Sequence, residues 1–313
     1  LKLAHRFPAA SFMQTFMEWF NEEVQKRSDG RLSIDIYPNG QLMPVDQEMP
    51  ALLQGQIDMS HATSPVLASF DPIWNFYELP FIFDYDPNDP AVFLENRLNF
   101  NRSKNGGQQL VKMMEEKGLK VLSLSFVDMF GSVYSADPNE VITDLDSVKG
   151  LKLRTPGGMI GPETVKAMGA SSVTIAGAEV ITALQQKTVD GLLTTPLYAT
   201  DAKLPVTSFA VVPLFNSVTP LMMSLETFES LPEDLQDILV QTGKDLEEHA
   251  KEKVLEKALS AYTTLENQGV KIYYPTEEEI AEWKEATKSV WDVFEREVEG
   301  GKELVEAVSN WQE

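Results

Sequence analysis

The same order of strand, helix and strand occurs twice in this chain, and this repeat restricts its fold more than any other feature. RLSIDIYPNG (31–40) corresponds to GLKLRTPGG (150–158), because each alternates as a half-buried strand does and ends at proline and glycine. ALLQGQIDM (51–59) corresponds in the same way to ALQQKTVDG (183–191). Strands that alternate with helices build parallel sheets. The sequence therefore predicts an α/β fold of two lobes with a ligand cleft between them.

The chain is long enough for two hydrophobic cores, since 43% of its 313 residues are hydrophobic. Two segments, Asp128–Ser135 and Val211–Ser224, are expected to cross from one lobe to the other. The predicted boundaries assign 1–125 plus 211–245 to lobe I and 126–210 plus 246–313 to lobe II.

A long uninterrupted helix is predicted in the last third of the chain. No proline lies within 233–268, Gly243 is the only glycine there, and apolar residues recur at helical spacing. With Pro232 at its start, such a helix would be about 55 Å long. We expect it to run along both lobes.

The composition limits the possible partners. The formal net charge is −22 and the isoelectric point is near 4.5, which disfavours binding to nucleic acid and to anionic membranes. The absence of cysteine excludes disulfides, thiol nucleophiles and cysteine-ligated metals. No apolar run approaches the ~18 residues of a membrane-spanning helix. No signal peptide is visible, and because the chain begins with the strand-like LKLAHRF, we expect a mature form.

Motifs typical of enzymes are missing from the sequence. The three histidines, at positions 5, 61 and 249, lack the spacing of metal ligands. No G-x-S-x-G elbow, phosphate-binding loop or G-x-G-x-x-G follows a strand. We therefore expect a binding protein without catalytic residues, metal or cofactor. A sensory ligand-binding domain is the alternative class.

Arg154 is the candidate ligand-binding residue that the strand pattern itself identifies. It stands at the end of the strand in GLKLRTPGG, where ligands bind in α/β folds. Its planar guanidinium matches a carboxylate, and its charge needs an anion if it is buried. From this stretch alone, an ion pair with a nearby Asp or Glu is the simpler interpretation.

The whole chain resembles the extracytoplasmic solute-binding proteins of tripartite ATP-independent periplasmic (TRAP) transporters, of the dicarboxylate-binding-protein type. Seven segments carry the resemblance: LAHRFP (3–8), SDGRLSIDIYPNGQL (28–42), ALLQGQIDM, ELPFIF (78–83), SVKGLKLRTP (147–156), AEVITALQQKTVDG (178–191) and SLPEDLQDIL (230–239). The resemblance implies a two-lobed periplasmic-binding-protein-like fold with hinge strands and a long helix spanning both lobes. It also implies a periplasmic, monomeric protein that passes an organic acid to membrane permease subunits.

The resemblance also assigns residues. It implies that Arg154 pairs with the ligand carboxylate, in place of the internal ion pair. A second arginine is common in the family's crossing strand, where this chain has no arginine and Gly131 or a neighbour takes its place. The family's pocket asparagine is replaced by Thr194 or Thr195, and a bulky aromatic residue by Gly177. These departures favour a different or roomier pocket with less charge for the far end of the ligand.

Further residues are expected to line the pocket: His5, Arg6, Thr63, Trp74, Tyr77, Phe130 and Tyr134. Arg6 could replace the missing second arginine, although a surface salt bridge is an equal alternative. Trp74 and Tyr77 are equally compatible with stacking on a ligand and with a place in the core. His61 is expected to be a packing residue.

The ligand itself is predicted only by class. One strong arginine fits a monocarboxylate with a polar or aromatic body. A C4-dicarboxylate requires Arg6 or His5 as a second anchor, and a sulfonate would also satisfy a guanidinium fork.

Overall fold

The computed structural model describes residues 1–312 and divides them into two compact units. Unit 1 comprises Leu1–Asp71, Leu98–Val127 and Val218–Lys253. Unit 2 comprises Pro72–Arg97, Asp128–Ser217 and the described residues from Val254 onward.

The strands are short and lie mostly in the interior. They are β1 (Lys2–Ala4), β2 (Asp35–Tyr37), β3 (Met59–His61), β4 (Leu119–Phe126), β5 (Ser132–Ser135), β6 (Lys152–Thr155), β7 (Ser171–Thr174), β8 (Gly191–Thr194), β9 (Ser208–Ala210), β10 (Val218–Ser224) and β11 (Lys271–Tyr273).

The α-helices occupy most of the remaining chain. They are α1 (Phe12–Arg27), α2 (Glu48–Leu53), α3 (Ser64–Leu67), α4 (Pro90–Arg102), α5 (Gly107–Glu115), α6 (Ile160–Ala167), α7 (Val180–Gln185), α8 (Pro196–Asp201), α9 (Leu225–Ser230), α10 (Glu233–Asn267), α11 (Glu277–Thr287), α12 (Ser289–Glu297) and α13 (Gly301–Gln312). Short 3₁₀ helices lie at Val45–Gln47, Pro72–Glu78, Asp146–Val148 and Gly177–Glu179.

Unit 1 is built on a five-stranded mixed sheet in the order β2-β1-β3-β10-β4. The first three strands are parallel, whereas β10 runs antiparallel to both β3 and β4. Ser11 caps the N-terminus of α1, and its hydroxyl accepts a hydrogen bond from the Gln14 N–H at 3.3 Å. Its residues Phe16, Phe20 and Val24 recur at helical spacing and are fully buried.

Unit 2 is built on a six-stranded mixed sheet in the order β11-β9-β5-β8-β6-β7. The β6 strand is paired with parallel neighbours on both sides, β7 and β8. The core beside this sheet includes Val133, Leu153, Leu193 and Trp283. The α/β class predicted from the sequence is confirmed in both units, although each sheet also contains antiparallel pairs.

The sequence repeat produces the same hydrogen bond in both units. The Asp58 carboxylate accepts from the Lys2 N–H at 2.7 Å, and the Asp190 carboxylate accepts from the Lys152 N–H, also at 2.7 Å. Each aspartate lies directly before one strand, β3 or β8, and accepts from the first residue of the neighbouring parallel strand, β1 or β6. This accounts for the matched V/I-D positions without any chemical role.

The predicted long helix is confirmed as α10, which begins one residue after Pro232 and ends one residue before the predicted end at residue 268. Its residues up to Lys253 belong to unit 1 and those from Val254 belong to unit 2. Within unit 1, the helix lies directly on β4, because a Cβ atom at Gly243 would come within 2.1 Å of the Leu122 carbonyl oxygen. Gly243 thus permits a close backbone contact.

The unit boundaries differ from the predicted lobes in four segments. Residues 72–97 and 211–217, predicted for lobe I, belong to unit 2, whereas residues 126–127 and 246–253, predicted for lobe II, belong to unit 1. The reason is direct hydrogen bonding: the Phe81 N–H donates to the Pro213 carbonyl at 2.8 Å, and the Trp291 indole donates to the Pro80 carbonyl at 2.8 Å. The aromatic segment after residue 72 is therefore part of unit 2.

Candidate functional site

Arg154 is the third residue of β6 and is nearly buried, with 6% of its surface exposed. Its Nε donates a hydrogen bond to the Ile175 carbonyl oxygen at 3.0 Å, in the segment that follows β7. Among residues 1–312, no carboxylate oxygen forms an ion pair with its guanidinium. The internal ion pair that the sequence left open is therefore not found in the described part of the chain.

The charge of Arg154 is held in an environment that disfavours it. Burial lowers the pKa of Arg154, and the nearby Tyr198 phenol acts in the opposite direction. Arginine nevertheless stays protonated in proteins, so the site holds a buried cation. Because a buried, unpaired charge is costly, the arrangement is suited to an anion that docks on the terminal nitrogens.

Tyr198 lies beside this site, although no pattern in the sequence marks it. It belongs to α8, and 36% of its surface is exposed. Its hydroxyl donates to the Gly177 carbonyl at 3.3 Å. A Cβ atom at Gly177 would lie 3.3 Å from the same phenol oxygen. The space expected to be open above Gly177 therefore holds the Tyr198 hydroxyl.

Thr194 and Thr195 lie at the junction of β8 and α8, and both are nearly buried. Asp128 faces this junction: its carboxylate accepts from the Leu197 N–H at 3.2 Å and from the Thr195 side chain. Burial raises the pKa of Asp128 to about 7, although these hydrogen bonds oppose the shift. The Thr195 hydroxyl is thus engaged in holding α8, and Asp128 was not recognisable from the sequence.

Phe130 and Tyr134 lie in the interior of unit 2. Phe130 packs edge-on against Phe93, with ring centroids 5.0 Å apart, and Tyr134 stacks on Phe209 at 4.2 Å. A Cβ atom at Gly131 would lie 2.2 Å from the Phe215 ring, so no larger side chain fits there. An arginine at position 131 would therefore require the Phe215 ring and the Thr194 carbonyl to move.

Trp74 and Tyr77 are fully buried in the 3₁₀ helix Pro72–Glu78. Tyr77 packs against neighbouring aromatic rings, which places it in the core of unit 2 in this structure. Glu78, in the same helix, is buried. It contacts the turn that follows β6, as shown by its Oε2, which would lie 3.0 Å from a Cβ atom at Gly158. Burial raises the pKa of Glu78 well above its ordinary value.

Arg6 and Thr63 are brought together in unit 1. The exposed Arg6 guanidinium donates to the Thr63 hydroxyl at 3.1 Å. Near it lies Glu48, a fully buried carboxyl that accepts from the Ser60 hydroxyl at 2.5 Å. Burial raises the pKa of Glu48 to about 7, while Ser60 and the Arg6 charge act against the shift. Glu48 had no signal in the sequence, because only the fold buries it.

His5 is buried in unit 1, and its Nε2 lies 2.8 Å from the Gln14 side-chain oxygen. His61 is also fully buried, with its ring centroid 6.4 Å from that of His5. Burial lowers the pKa of both rings, that of His61 to about 3, so both are neutral at pH 7. His61 is accordingly a packing residue, while His5 is anchored to α1.

The described residues include no group of three or more His, Cys, Asp or Glu side chains arranged to hold a metal ion. Within the same residues, no helix is both long and apolar enough to cross a membrane. Each unit thus has its own candidate group of polar side chains, around Arg154 in unit 2 and around Arg6 in unit 1.

Comparison with protein families gives a match over nearly the whole chain. Residues 3–297 match the family model described as bacterial extracellular solute-binding protein, family 7 (DctP). The C4-dicarboxylate-binding periplasmic protein DctP of Rhodobacter capsulatus is 27% identical over 297 residues, covering 92% of this chain and 84% of the relative. The 2,3-diketo-L-gulonate-binding periplasmic protein YiaO of Escherichia coli is 25% identical, covering 94% and 86%.

A solved structure has the same fold. A TRAP periplasmic solute-binding protein from Haemophilus influenzae, with bound L-gulonate, is similar with a TM-score of 0.80 and 24% identity, covering 99% of both chains.

Proposed function

The chain belongs to the bacterial extracellular solute-binding protein family 7, the solute-binding proteins of TRAP transporters, and we propose that it binds its ligand through a carboxylate docked on Arg154. Proteins of this kind bind small organic acids and work with membrane permease subunits. The observation that carries the proposal is a nearly buried guanidinium that has no carboxylate partner among residues 1–312. A ligand carboxylate would accept from both terminal nitrogens and compensate the desolvation of the charge.

The ligand class that we propose is a small monocarboxylate with a polar body. The relatives are named for 2,3-diketo-L-gulonate and C4-dicarboxylates, and the similar structure holds L-gulonate. All of these carry a carboxylate, so Arg154 suits each of them. We prefer a polar body to a second carboxylate, because this chain has Gly131 in the crossing strand where a second arginine is common in the family.

Arg6 and Thr63 are proposed as ligand contacts of unit 1. The Arg6 guanidinium is exposed and its donation to Thr63 orients it. Because the buried Glu48 lies near, the effective positive charge of Arg6 depends on whether Glu48 is ionised. We therefore propose Arg6 as a hydrogen-bond donor to the ligand body and not as a second full anchor for a dicarboxylate.

We further propose that the protein acts without catalysis, as a monomer in the periplasm. These points rest on the family and on the absence of enzyme motifs from the sequence. Size-exclusion chromatography with light scattering tests the monomer, and incubation of candidate acids with the protein, followed by mass spectrometry, tests for turnover.

Ligand binding is tested by thermal shift and calorimetry after unfolding and refolding to remove any bound molecule. The panel contains aldonates, uronates, C4-dicarboxylates, sulfonates and neutral sugars. A ligand at one hundred times its Kd should stabilise the wild type by about 2.7 kcal/mol. Arg154→Ala should remove that response, and Arg154→Lys should weaken binding strongly, because a point charge cannot replace the bidentate fork.

The matched control is Arg296→Ala, since Arg296 is an exposed arginine of α12 paired with its neighbour Glu297. This variant should bind as the wild type does. Stabilisation by neutral sugars alone, or undiminished binding by Arg154→Ala, would overturn the carboxylate proposal. Stabilisation by sulfonates in preference to carboxylates would replace the ligand class and keep the role of Arg154.

A further inference from the structure

Two side chains of unit 2 are attached to the same short segment after β7. The Arg154 Nε donates to the Ile175 carbonyl at 3.0 Å, and the Tyr198 hydroxyl donates to the Gly177 carbonyl at 3.3 Å. The two carbonyls are two residues apart, a span of about 7 Å at most. The guanidinium and the phenol are therefore neighbours, and the influence of the Tyr198 phenol on the pKa of Arg154 agrees with this placement.

The hydrogen bonds determine which polar role each group has left. A guanidinium has only donors, so Arg154 offers N–H groups to a ligand. A phenol has one proton, and Tyr198 gives it to the Gly177 carbonyl, so its oxygen is left with lone pairs that accept a hydrogen bond. With 36% of its surface exposed, Tyr198 is accessible to a ligand. A donor for a carboxylate thus lies next to an acceptor for a hydroxyl.

We propose that Tyr198 is a specificity-determining residue that selects 2-hydroxycarboxylates over 2-oxocarboxylates. In a 2-hydroxycarboxylate the carboxylate accepts from Arg154, and the adjacent hydroxyl donates to the phenol oxygen. A 2-oxo group has no proton to donate, so its carbonyl oxygen would face the phenol oxygen of Tyr198, acceptor against acceptor. The inference rests on the proposed function, since it requires that a carboxylate docks on Arg154.

The test compares matched pairs of acids by calorimetry: glycerate with hydroxypyruvate, malate with oxaloacetate and lactate with pyruvate. For the pair that binds best, the wild type should prefer the hydroxy acid at least fivefold. Tyr198→Phe keeps the ring and removes the oxygen, so the preference should fall to within twofold of unity. Tyr274→Phe removes an exposed phenol next to β11, at the opposite edge of the same sheet, and should keep the wild-type preference.

A second variant changes the other partner of the contact between the Tyr198 hydroxyl and Gly177. Gly177→Ala places a methyl group 3.3 Å from the phenol oxygen, which must then move by a few tenths of an ångström, so the preference should fall by less than it does in Tyr198→Phe. Circular dichroism checks that both variants are folded. An unchanged preference in Tyr198→Phe, or no preference in the wild type, would overturn the inference while carboxylate binding stands. If the wild type binds no acid of the panel, the proposed function fails, and this inference fails with it.

Discussion

Replacing Arg154 with methionine should stabilise the ligand-free protein and at the same time abolish its response to organic acids. The variant loses the hydrogen bond to the Ile175 carbonyl, which contributes about 1 kcal/mol. It also removes a buried charge without a carboxylate partner among the described residues, whose effective desolvation costs several kcal/mol. Methionine is a flexible apolar residue that fills irregular space. We therefore expect a net stabilisation of about 1–2 kcal/mol.

The assay is urea unfolding of refolded protein, with and without the best acid of the panel. The ligand-free midpoint should be higher in Arg154→Met than in the wild type. Added acid should raise the wild-type free energy of unfolding by about 2.7 kcal/mol at one hundred times Kd and leave the variant unchanged. A residue that only supports the fold would lower the stability of the ligand-free protein when it is replaced. A binding residue such as Arg154 should instead give a more stable ligand-free variant that no longer responds to the acid.

Two results would refute this reasoning. A ligand-free Arg154→Met that is destabilised by more than about 2 kcal/mol would show that the guanidinium holds the fold together. A variant that still responds to the acid would show that the carboxylate docks elsewhere.

Three further predictions concern groups that the fold places in unusual environments. Because burial raises the pKa of Glu48 to about 7, its contribution to stability is present at low pH and is lost as pH rises from about 4.5 to 7. In urea titrations over that range, the free energy of unfolding of Glu48→Gln should therefore rise by up to about 3 kcal/mol relative to that of the wild type. Parallel pH profiles of the two proteins would contradict this. Gly243→Ala should destabilise unit 1 by about 3 kcal/mol, since its Cβ would clash with the Leu122 carbonyl. If the variant were instead more stable by about 1 kcal/mol, as helix propensity alone predicts, the close contact would be excluded. Asp190→Ala should cost about 1–2 kcal/mol by leaving the Lys152 N–H without its side-chain acceptor, with loss of hydrogen-exchange protection confined to the start of β6; protection unchanged there would contradict the role of this bond.

The parts of the fold that depend on local pattern were predictable from the sequence. The limits of α10 follow from helical periodicity and from the absence of proline, and the matched Asp58 and Asp190 follow from the repeat. The bounds of β3, Met59–His61, depend in contrast on its pairing with β10, which is distant in sequence. The assignment of residues 72–97 depended on tertiary hydrogen bonds, which no local pattern records.

The candidate site shows the same division. Arg154 was identified because a strand end and a Pro-Gly-Gly turn mark it in the sequence. Glu48 and Asp128 were missed because a carboxyl becomes unusual only when the fold buries it, and 48 acidic residues offer no means of choice. Tyr198 was missed because its significance depends on the hydrogen bond to Gly177, which is distant in sequence.

The nearly buried Arg154 on a chain of net charge −22 has a kinetic consequence. At long range the acidic protein repels an organic anion, whereas the guanidinium attracts it only after contact. Dissolved salt screens the long-range field much more than a buried pair. Rising ionic strength should therefore speed association and leave dissociation nearly unchanged, so that this protein captures its ligand faster in a saline medium than in a dilute one.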